Sequence, residues 1–516
     1  RPRACALSRF QTPKFDSAKK SGATKVRQTP MQYTGTLYFA FLIGVFYCYW
    51  LLPEQGRWRA GWLAFASCTL YCLGGYAAVT VLFGVSAANF IAGRLMTGRK
   101  PSVRKALLLT ALVIDLGVLG LFKYWNFFLD SSPGWPGTTG GAFERLHLNV
   151  LAPIGISFFI FQSIGYVVDV YRKDGPPADS FAEYLLFISF FPVVAAGPIV
   201  RGRQLLPQYR EPRKFSADQG GRALFLIALG LVKKIAIADY LSANIVDRVF
   251  DFPGRFSSLE ILVAIYCYAL QIYLDFSGYS DIAIGSAMLL GFELPENFNA
   301  PYRARNVAEF WRRWHITFST WLRDYVFFTI AGKRVRNRWI LYAGLIVTML
   351  LGGLWHGAGY TFLVWGILHG LGLAVYHGYA DLRRWYLRKR AGGSAFIPLG
   401  QSLAARCKSI ASVILTFHFV CLTWVFFRAD SIDQARDLLR QAGKLTWGTA
   451  NLTGGVLLLA AIGLIAHLCP RALFDGACSG FSKLPAPVQA TLLFGIGMGL
   501  YYAASTDVAP FIYSRF

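Results

Sequence analysis

Charge is scarce in this chain. Of its 516 residues, 15% are Asp, Glu, Lys or Arg, where soluble domains carry roughly 25%. Acid is scarcer still, with 27 acidic residues against 52 basic ones and a formal net charge of +25. Hydrophobic residues make up 55% and the mean hydropathy is +0.42. This balance excludes a disordered chain and argues against a soluble globular one. The basic surplus does not point to nucleic acid. Lys and Arg stand in short clusters between long apolar runs, the pattern set by membrane topology and phospholipid headgroups, so membrane lipids are the expected partner. No CxxC pair occurs among the nine cysteines. A disulfide framework and a zinc site are therefore not expected, and cysteines such as Cys48, Cys68, Cys72 and Cys267 read as small buried hydrophobes. Also missing are GxSxG, a phosphate loop, HExxH, a GxGxxG after a strand and an acidic metal cluster, which removes the chemistries those motifs carry.

What is present is a succession of apolar runs. A membrane-spanning helix needs about 20 apolar residues. Candidate runs are 36–52, 61–76, 77–95, 105–128, 151–170, 181–200, 222–246, 259–290, 339–363, 364–381, 409–427, 455–469 and 487–505. The expected fold is thus all-α and polytopic, with roughly 11 to 13 spanning or re-entrant helices. Run 259–290 is long enough to be broken. Strands are disfavoured because the runs lack period-2 alternation. No internal repeat is visible, which counts against an inverted-repeat transporter. Residues 31–516 read as one integral-membrane domain. Residues 1–30 carry eight basic residues against Asp16 and read as a basic, disordered tail or a start-site artefact, with Met31 a candidate start. Basic clusters at Arg94 to Lys105, Arg201 to Lys214, Lys333 to Arg338 and Arg383 to Arg390 mark cytoplasmic loops.

Polar residues at span depth are costly and usually face a protein interior or a water-filled cavity. Four groups stand out. In the first, Pro153 and Gly155 suit a helix start, and Ser157 and Gln162 are placed to hydrogen-bond between helices. In the second, Asp275 and Asp281 lie in an apolar stretch with Gly278 between them. Six residues apart, they do not share a face of an unbroken helix. A break at Gly278 would bring them together, as a functional wall, a proton relay or a structural hydrogen-bond site. In the third, Val307, Phe310, Trp311, Trp314, Phe318, Trp321, Leu322 and Tyr325 recur at helical spacing, an interfacial amphipathic helix with His315 on its aromatic side. In the fourth, His356 stands among Gly352, Gly353, Gly357 and Gly359, so a substrate or another backbone can approach it closely. His369 lies thirteen residues on, and His377, His418 and His467 lack such neighbourhoods and read as structural.

A neutral buried histidine can take a proton, and its ordinary pKa suits that role. It can activate an acceptor hydroxyl against a thioester, or carry an acyl group itself. Acyl transfer is thus feasible with the residues present. Proton-coupled transport, by a transporter or channel without acyl chemistry, stays open at this point.

The motifs together resemble the membrane-bound O-acyltransferase (MBOAT) superfamily, and most closely its bacterial branch of alginate and peptidoglycan O-acetylation. The segments that carry the resemblance are PIGISFFIFQSIGYVVDVYR (153–172), SFFPVVAAGPIVR (189–201), YLDFSGYSDIAIG (273–285), ENFNAPYRARNVAEFWRRWHITFSTWLRDYVF (296–327), LLGGLWHGAGYTFLVWGILHG (350–370) and WVFFRADS (424–431). The likeness runs from about Met31 to about 435 and loosens beyond. It implies a funnel of helices with a central tunnel. The catalytic role of the family's signature histidine falls on His356 and the assisting role on His315, with Asp275, Asp281, Arg323, Asp324 and Trp355 as tunnel or supporting residues. It implies no bound cofactor and acetyl-CoA as the acyl donor. Acetyl groups would pass across the bacterial inner membrane to an esterase-like periplasmic partner that modifies an exported polysaccharide. A lipid or protein acceptor remains the alternative within the superfamily.

Overall fold

The longest helix, Ser258–Leu289, is also the most enclosed. A capping box starts it: Ser257 Oγ accepts from the Glu260 N–H and the Glu260 carboxylate accepts from the Ser257 N–H, so two of the orphan donors of the helix start are satisfied. Of its most apolar stretch, 78% is buried within the protein, against 17% for Pro101–Asp130. The first helix is therefore central and the second faces lipid. The structure is a computed structural model, and it describes residues 34–54, 56–73, 75–131, 148, 153, 155–195, 197–335, 337–390 and 403–503. The basic stretch 1–30 and Met31 lie outside the described residues.

Among the described residues every regular element is helical, as the apolar runs require in a membrane where backbone groups must be satisfied internally. Six helices are long and apolar enough to cross: Ala78–Met96, Pro101–Asp130, Ser258–Leu289, Arg338–His356, Tyr360–Lys389 and Ala405–Arg428. A seventh crossing is formed if Gly454–Leu468 and Arg471–Ser482, bent by 95° at Pro470, count as one. Several of the other expected spans fold as shorter or broken pieces. Run 151–170 becomes the 17-residue helix Ile156–Arg172, started at Gly155 with φ +72° as expected. Run 181–200 is split into Phe181–Ser189 and Phe191–Val194, with Pro192 in the first turn of the second. Run 222–246 passes from α-helix into widened π turns at Val232–Asp239 and Ser242–Val246. Hydropathy measures the apolar run but does not see these breaks.

One alternative is decided and one expectation is corrected. Gly278 is not a break, because Ser258–Leu289 runs through it as one helix. A Cβ on Gly278 would stand 2.7 Å from the Gly230 carbonyl oxygen, and one on Gly230 would stand 2.5 Å from that of Gly278. The glycine pair lets two helix backbones touch. Conversely, 307–325 is not one interfacial helix. It is Val307–Trp311 and Ile316–Trp321, separated at His315, which adopts φ +42°, and the second continues into the π turn Leu322–Phe327. Phe310, Trp314, Phe318 and Trp321 are all buried inside the protein.

Arg338–His356 and Tyr360–Arg390 form an antiparallel hairpin. Its helices approach closely at Gly353, where a Cβ would meet the Phe362 carbonyl at 2.3 Å, and at Gly366, where one would meet the Met349 carbonyl at 2.5 Å. Of the glycines around His356, Gly353 therefore admits a second backbone, one of the two readings of their spacing. Both basic clusters, Lys333 to Arg338 and Arg383 to Arg390, fall at the open end of this hairpin. His356 closes the opposite end. Nineteen residues at about 1.5 Å each put it roughly 27 Å along the axis from the basic loops.

Candidate active site

His315 and His356 are brought together by aromatic packing. Both are buried, with relative exposures of 0% and 2%. The Phe318 ring stacks on His315 at 4.9 Å between centroids and lies 5.3 Å from His356. Trp355 touches the same pair, 6.1 Å from His315 and 5.0 Å from His356. Phe276 closes on His315 at 4.6 Å, while Trp365 and Phe427 close on His356 at 5.0 and 5.1 Å. Trp355 itself packs among Phe158, Phe161 and Phe318 and donates its indole N–H to the Ser157 carbonyl at 3.3 Å. It thus walls the histidine pair and packs at the same time.

The orientation of His315 is set by a residue 18 positions earlier. The Asn297 amide oxygen accepts from the Thr317 N–H at 3.3 Å and the Thr317 hydroxyl at 2.9 Å. The Thr317 hydroxyl is in turn an acceptor, from the Ile199 N–H. On the other side the Asn297 amide nitrogen donates to Ser280 Oγ. A backbone N–H can only donate, so the oxygen end of Asn297 is identified by its partners. That oxygen stands 3.0 Å from His315 Nδ1. Nδ1 therefore carries the proton, and Nε2 of the neutral ring is the basic nitrogen. The Asn297 backbone carbonyl also accepts the Ile316 N–H, which holds the turn on which His315 sits. Asn297 is present in the sequence motif, but nothing in its spacing assigns it this role.

His369 illustrates the opposite case. Its Nδ1 accepts from the Trp311 indole at 3.2 Å and its Nε2 lies 3.0 Å from Thr423 Oγ1. Both ring nitrogens are used in helix packing. His418, bonded by the Ile414 carbonyl and the Tyr266 hydroxyl, and His467, which accepts from the Tyr302 N–H, are likewise engaged.

Asp324 joins an arginine cluster. Arg201 Nη1 reaches one carboxylate oxygen at 2.6 Å and Arg323 Nε the other at 2.7 Å. Burial raises the Asp324 carboxyl, but the hydrogen bonds from Arg323 and Arg201 outweigh it and hold the group below the usual carboxylate range. Arg172 donates to the Asp324 carbonyl, and the neighbouring Tyr325 hydroxyl donates to Asp169 at 2.7 Å. The cluster ties Ile156–Arg172 to the segment that carries His315.

Asp275 and Asp281 do not meet each other. Asp281 pairs with Lys233 at 2.6 Å, and Asp275 pairs with Lys234 at 2.5 Å, whose ammonium also reaches Asp239 at 2.7 Å. The π turn Val232–Asp239 aims two consecutive lysines at the central helix just beyond the Gly230–Gly278 crossing. Lys234 is 1% exposed and Asp275 2%. Removing one partner of such a pair strands a buried charge. Lys234→Met is accordingly expected to destabilise the protein by about 3–5 kcal/mol, with partial recovery on adding Asp275→Asn. Thermal unfolding in detergent checks this, and an unchanged midpoint for Lys234→Met would refute it.

The model of the MBOAT, membrane-bound O-acyltransferase family, matches residues 178–420, a span that contains both histidines. The peptidoglycan O-acetyltransferase of Helicobacter pylori is 34% identical over 433 residues, covering 78% of this chain and 77% of its own. The "Probable alginate O-acetylase AlgI" of Pseudomonas aeruginosa is 35% identical over 441 residues, covering 83% and 80%. The teichoic acid D-alanyltransferase of Bacillus subtilis is 26% identical over 61% of this chain and 76% of its own. With a polytopic helical fold and relatives of this identity and coverage, the chain belongs to the membrane-bound O-acyltransferase family and is an integral-membrane O-acyltransferase of its bacterial branch.

Proposed function

We propose that this protein takes an acetyl group from acetyl-CoA at the cytoplasmic face of a bacterial inner membrane and delivers it across the membrane for O-acetylation of an exported or cell-wall polysaccharide. The observation that carries the reading is the packing of His315 and His356 against the same two rings, Phe318 and Trp355, in the protein interior. His356 is the catalytic group. It takes the proton of the acceptor hydroxyl as that oxygen attacks the thioester carbonyl, or its nitrogen carries the acetyl group between donor and acceptor; both routes use the neutral imidazole. In either case the C–S bond breaks and the coenzyme leaves as its thiol. His315 assists through Nε2, and Asp275, Asp281, Arg323 and Asp324 support the surrounding helices through their ion pairs. The separation of His356 from the basic loops along Arg338–His356 supports chemistry away from the cytoplasmic face. The final acceptor is reached through a periplasmic, esterase-like transferase. The relatives named above are the support for an acetyl group and a polymer.

Proteoliposomes supplied with labelled acetyl-CoA on one side, and with the periplasmic transferase and candidate polymers on the other, test this. Labelled ester on the polymer is expected. Substrate flux without any acyl donor would replace this reading by a transporter, and label confined to lipid or protein would replace the acceptor.

A further inference from the structure

Every helix leaves its last four carbonyls without intrahelical donors. In Arg338–His356 these belong to the Gly353–His356 turn, and each has a partner. Gly353 O accepts the Gly357 N–H. Leu354 O accepts the Tyr124 hydroxyl at 2.6 Å. Trp355 O and His356 O both accept from the Lys123 ammonium, the latter at 3.3 Å. The third donor of that ammonium goes to Ser157 Oγ, also at 3.3 Å. Ser157 lies in the first turn of Ile156–Arg172 and its carbonyl receives the Trp355 indole.

A lysine in a lipid-facing helix is expensive to keep. Among the described residues no carboxylate forms an ion pair with Lys123; its hydrogen-bond partners are the two carbonyls and the hydroxyl, and the Trp355 ring lies 5.8 Å from the ammonium. What balances its charge is the negative end of the Arg338–His356 helix dipole, which points at it. The local backbone is unusual at the same place. Gly120–Tyr124 is a π turn inserted between Pro101–Leu119 and Trp125–Asp130. Such turns are single-residue expansions of a helix that recur at functional sites. Here the expansion lets consecutive side chains, Lys123 and Tyr124, reach the same helix end.

We propose that Lys123 and Tyr124 are a positioning clamp for His356. They fix the carbonyls on either side of the imidazole, so that the ring keeps one place relative to His315 and the reacting acyl carbon. With all three ammonium donors used, Lys123 has none left for substrate. It acts through His356 and is not itself a catalytic residue. The inference rests on the catalytic role given to His356 above.

The test is steady-state acetyl transfer by the reconstituted full chain, with kcat and KM for acetyl-CoA measured separately and folding followed by thermal midpoint. Lys123→Met keeps the length of the side chain and removes charge and donors. It is expected to lower kcat about 10- to 100-fold with little change in KM, since misplacement of a reacting group by about 1 Å costs on that scale. Lys123→Arg, which keeps the charge and the donors, should recover most of the loss. Tyr124→Phe removes one hydroxyl and should lower kcat by a smaller factor, again without moving KM. If Lys123→Met does not fold, Tyr124→Phe decides alone. Native kcat in the folded clamp variants, combined with an inactive His356→Ala, overturns the clamp and leaves the site reading standing. Full activity in His356→Ala overturns both.

Discussion

His356→Ala is expected to remove acetyl transfer while leaving the amount of protein in the membrane unchanged. A positioned acid–base group contributes about 100- to 10,000-fold in rate, so the fall in kcat should be at least about 100-fold, and larger if His356 carries the acetyl group. The side chain sits at the last residue of its helix, where loss of an imidazole shortens no backbone hydrogen-bond ladder. Its aromatic neighbours Trp355, Phe318, Trp365 and Phe427 also contact one another. The sharp comparison is with His369→Ala. His369 is equally buried, shares the Trp365 ring with His356 at 4.8 Å, and has both nitrogens bonded to Trp311 and Thr423. Its removal strands a buried indole N–H and takes one donor from the Thr423 hydroxyl, which keeps its own bond to the Val420 carbonyl, an expected loss of about 1–3 kcal/mol in stability, while the protein that remains folded keeps most of its turnover. Two buried histidines in one aromatic cluster should thus fail in different ways. Retained transfer in His356→Ala, measured as labelled ester per mole of membrane protein, would withdraw the catalytic assignment.

The sequence names both histidines because the family's motifs run along the chain. It does not name what orients them: Asn297 stands in the same motif as His315 without a spacing that assigns its role, and the other partners are distant in sequence. Lys123 lies 233 residues from His356, and Lys233 lies 48 residues from Asp281. Periodicity reports which residues share a face of one helix, and carries no information about which face it meets. The alternative decided at Gly278 and the expectation corrected at 307–325 have the same origin. Gly278 inside an apolar stretch reads equally as a break or as a close helix crossing, and only the presence of Gly230 opposite decides for the crossing. The 307–325 stripe keeps its 3- and 4-residue spacing across His315, although the backbone there is left-handed, a conformation that non-glycine residues rarely adopt and that spacing cannot reveal. The apolar runs do not say which of them cross and which are re-entrant, for a related reason. Apolar composition is shared by helices that cross a bilayer and by short pieces buried between them, such as Phe191–Val194.

The second large effect is expected at Asn297, which touches no substrate in this reading. Asn297→Leu keeps the approximate volume and removes the oxygen that holds the Nδ1–H of His315. The neutral ring then loses its fixed tautomer, and Nε2 is no longer reliably the basic nitrogen. A wrong tautomer in an otherwise intact acid–base site costs up to about 10,000-fold in the serine-protease case; for a histidine that assists, a loss of about 100-fold in kcat is expected on the lower side of that scale. Asn297→Asp separates tautomer from packing. A carboxylate oxygen still accepts from Nδ1–H, the Thr317 N–H and the Thr317 hydroxyl, and the Ser280 hydroxyl can rotate to donate where it now accepts. The aspartate variant should therefore retain far more activity than the leucine variant. Because the added negative charge favours the imidazolium, the acid limb of its pH–rate profile should move to higher pH. Thr317→Val, which removes one of the other bonds to the same oxygen, supplies the structural control: it disturbs the Asn297 network without touching the bond to His315, and its profile should keep the native limb. If Asn297→Leu is folded and turns over at the native rate, His315 has no tautomer-dependent role, and the assisting function assigned to it falls while that of His356 stands.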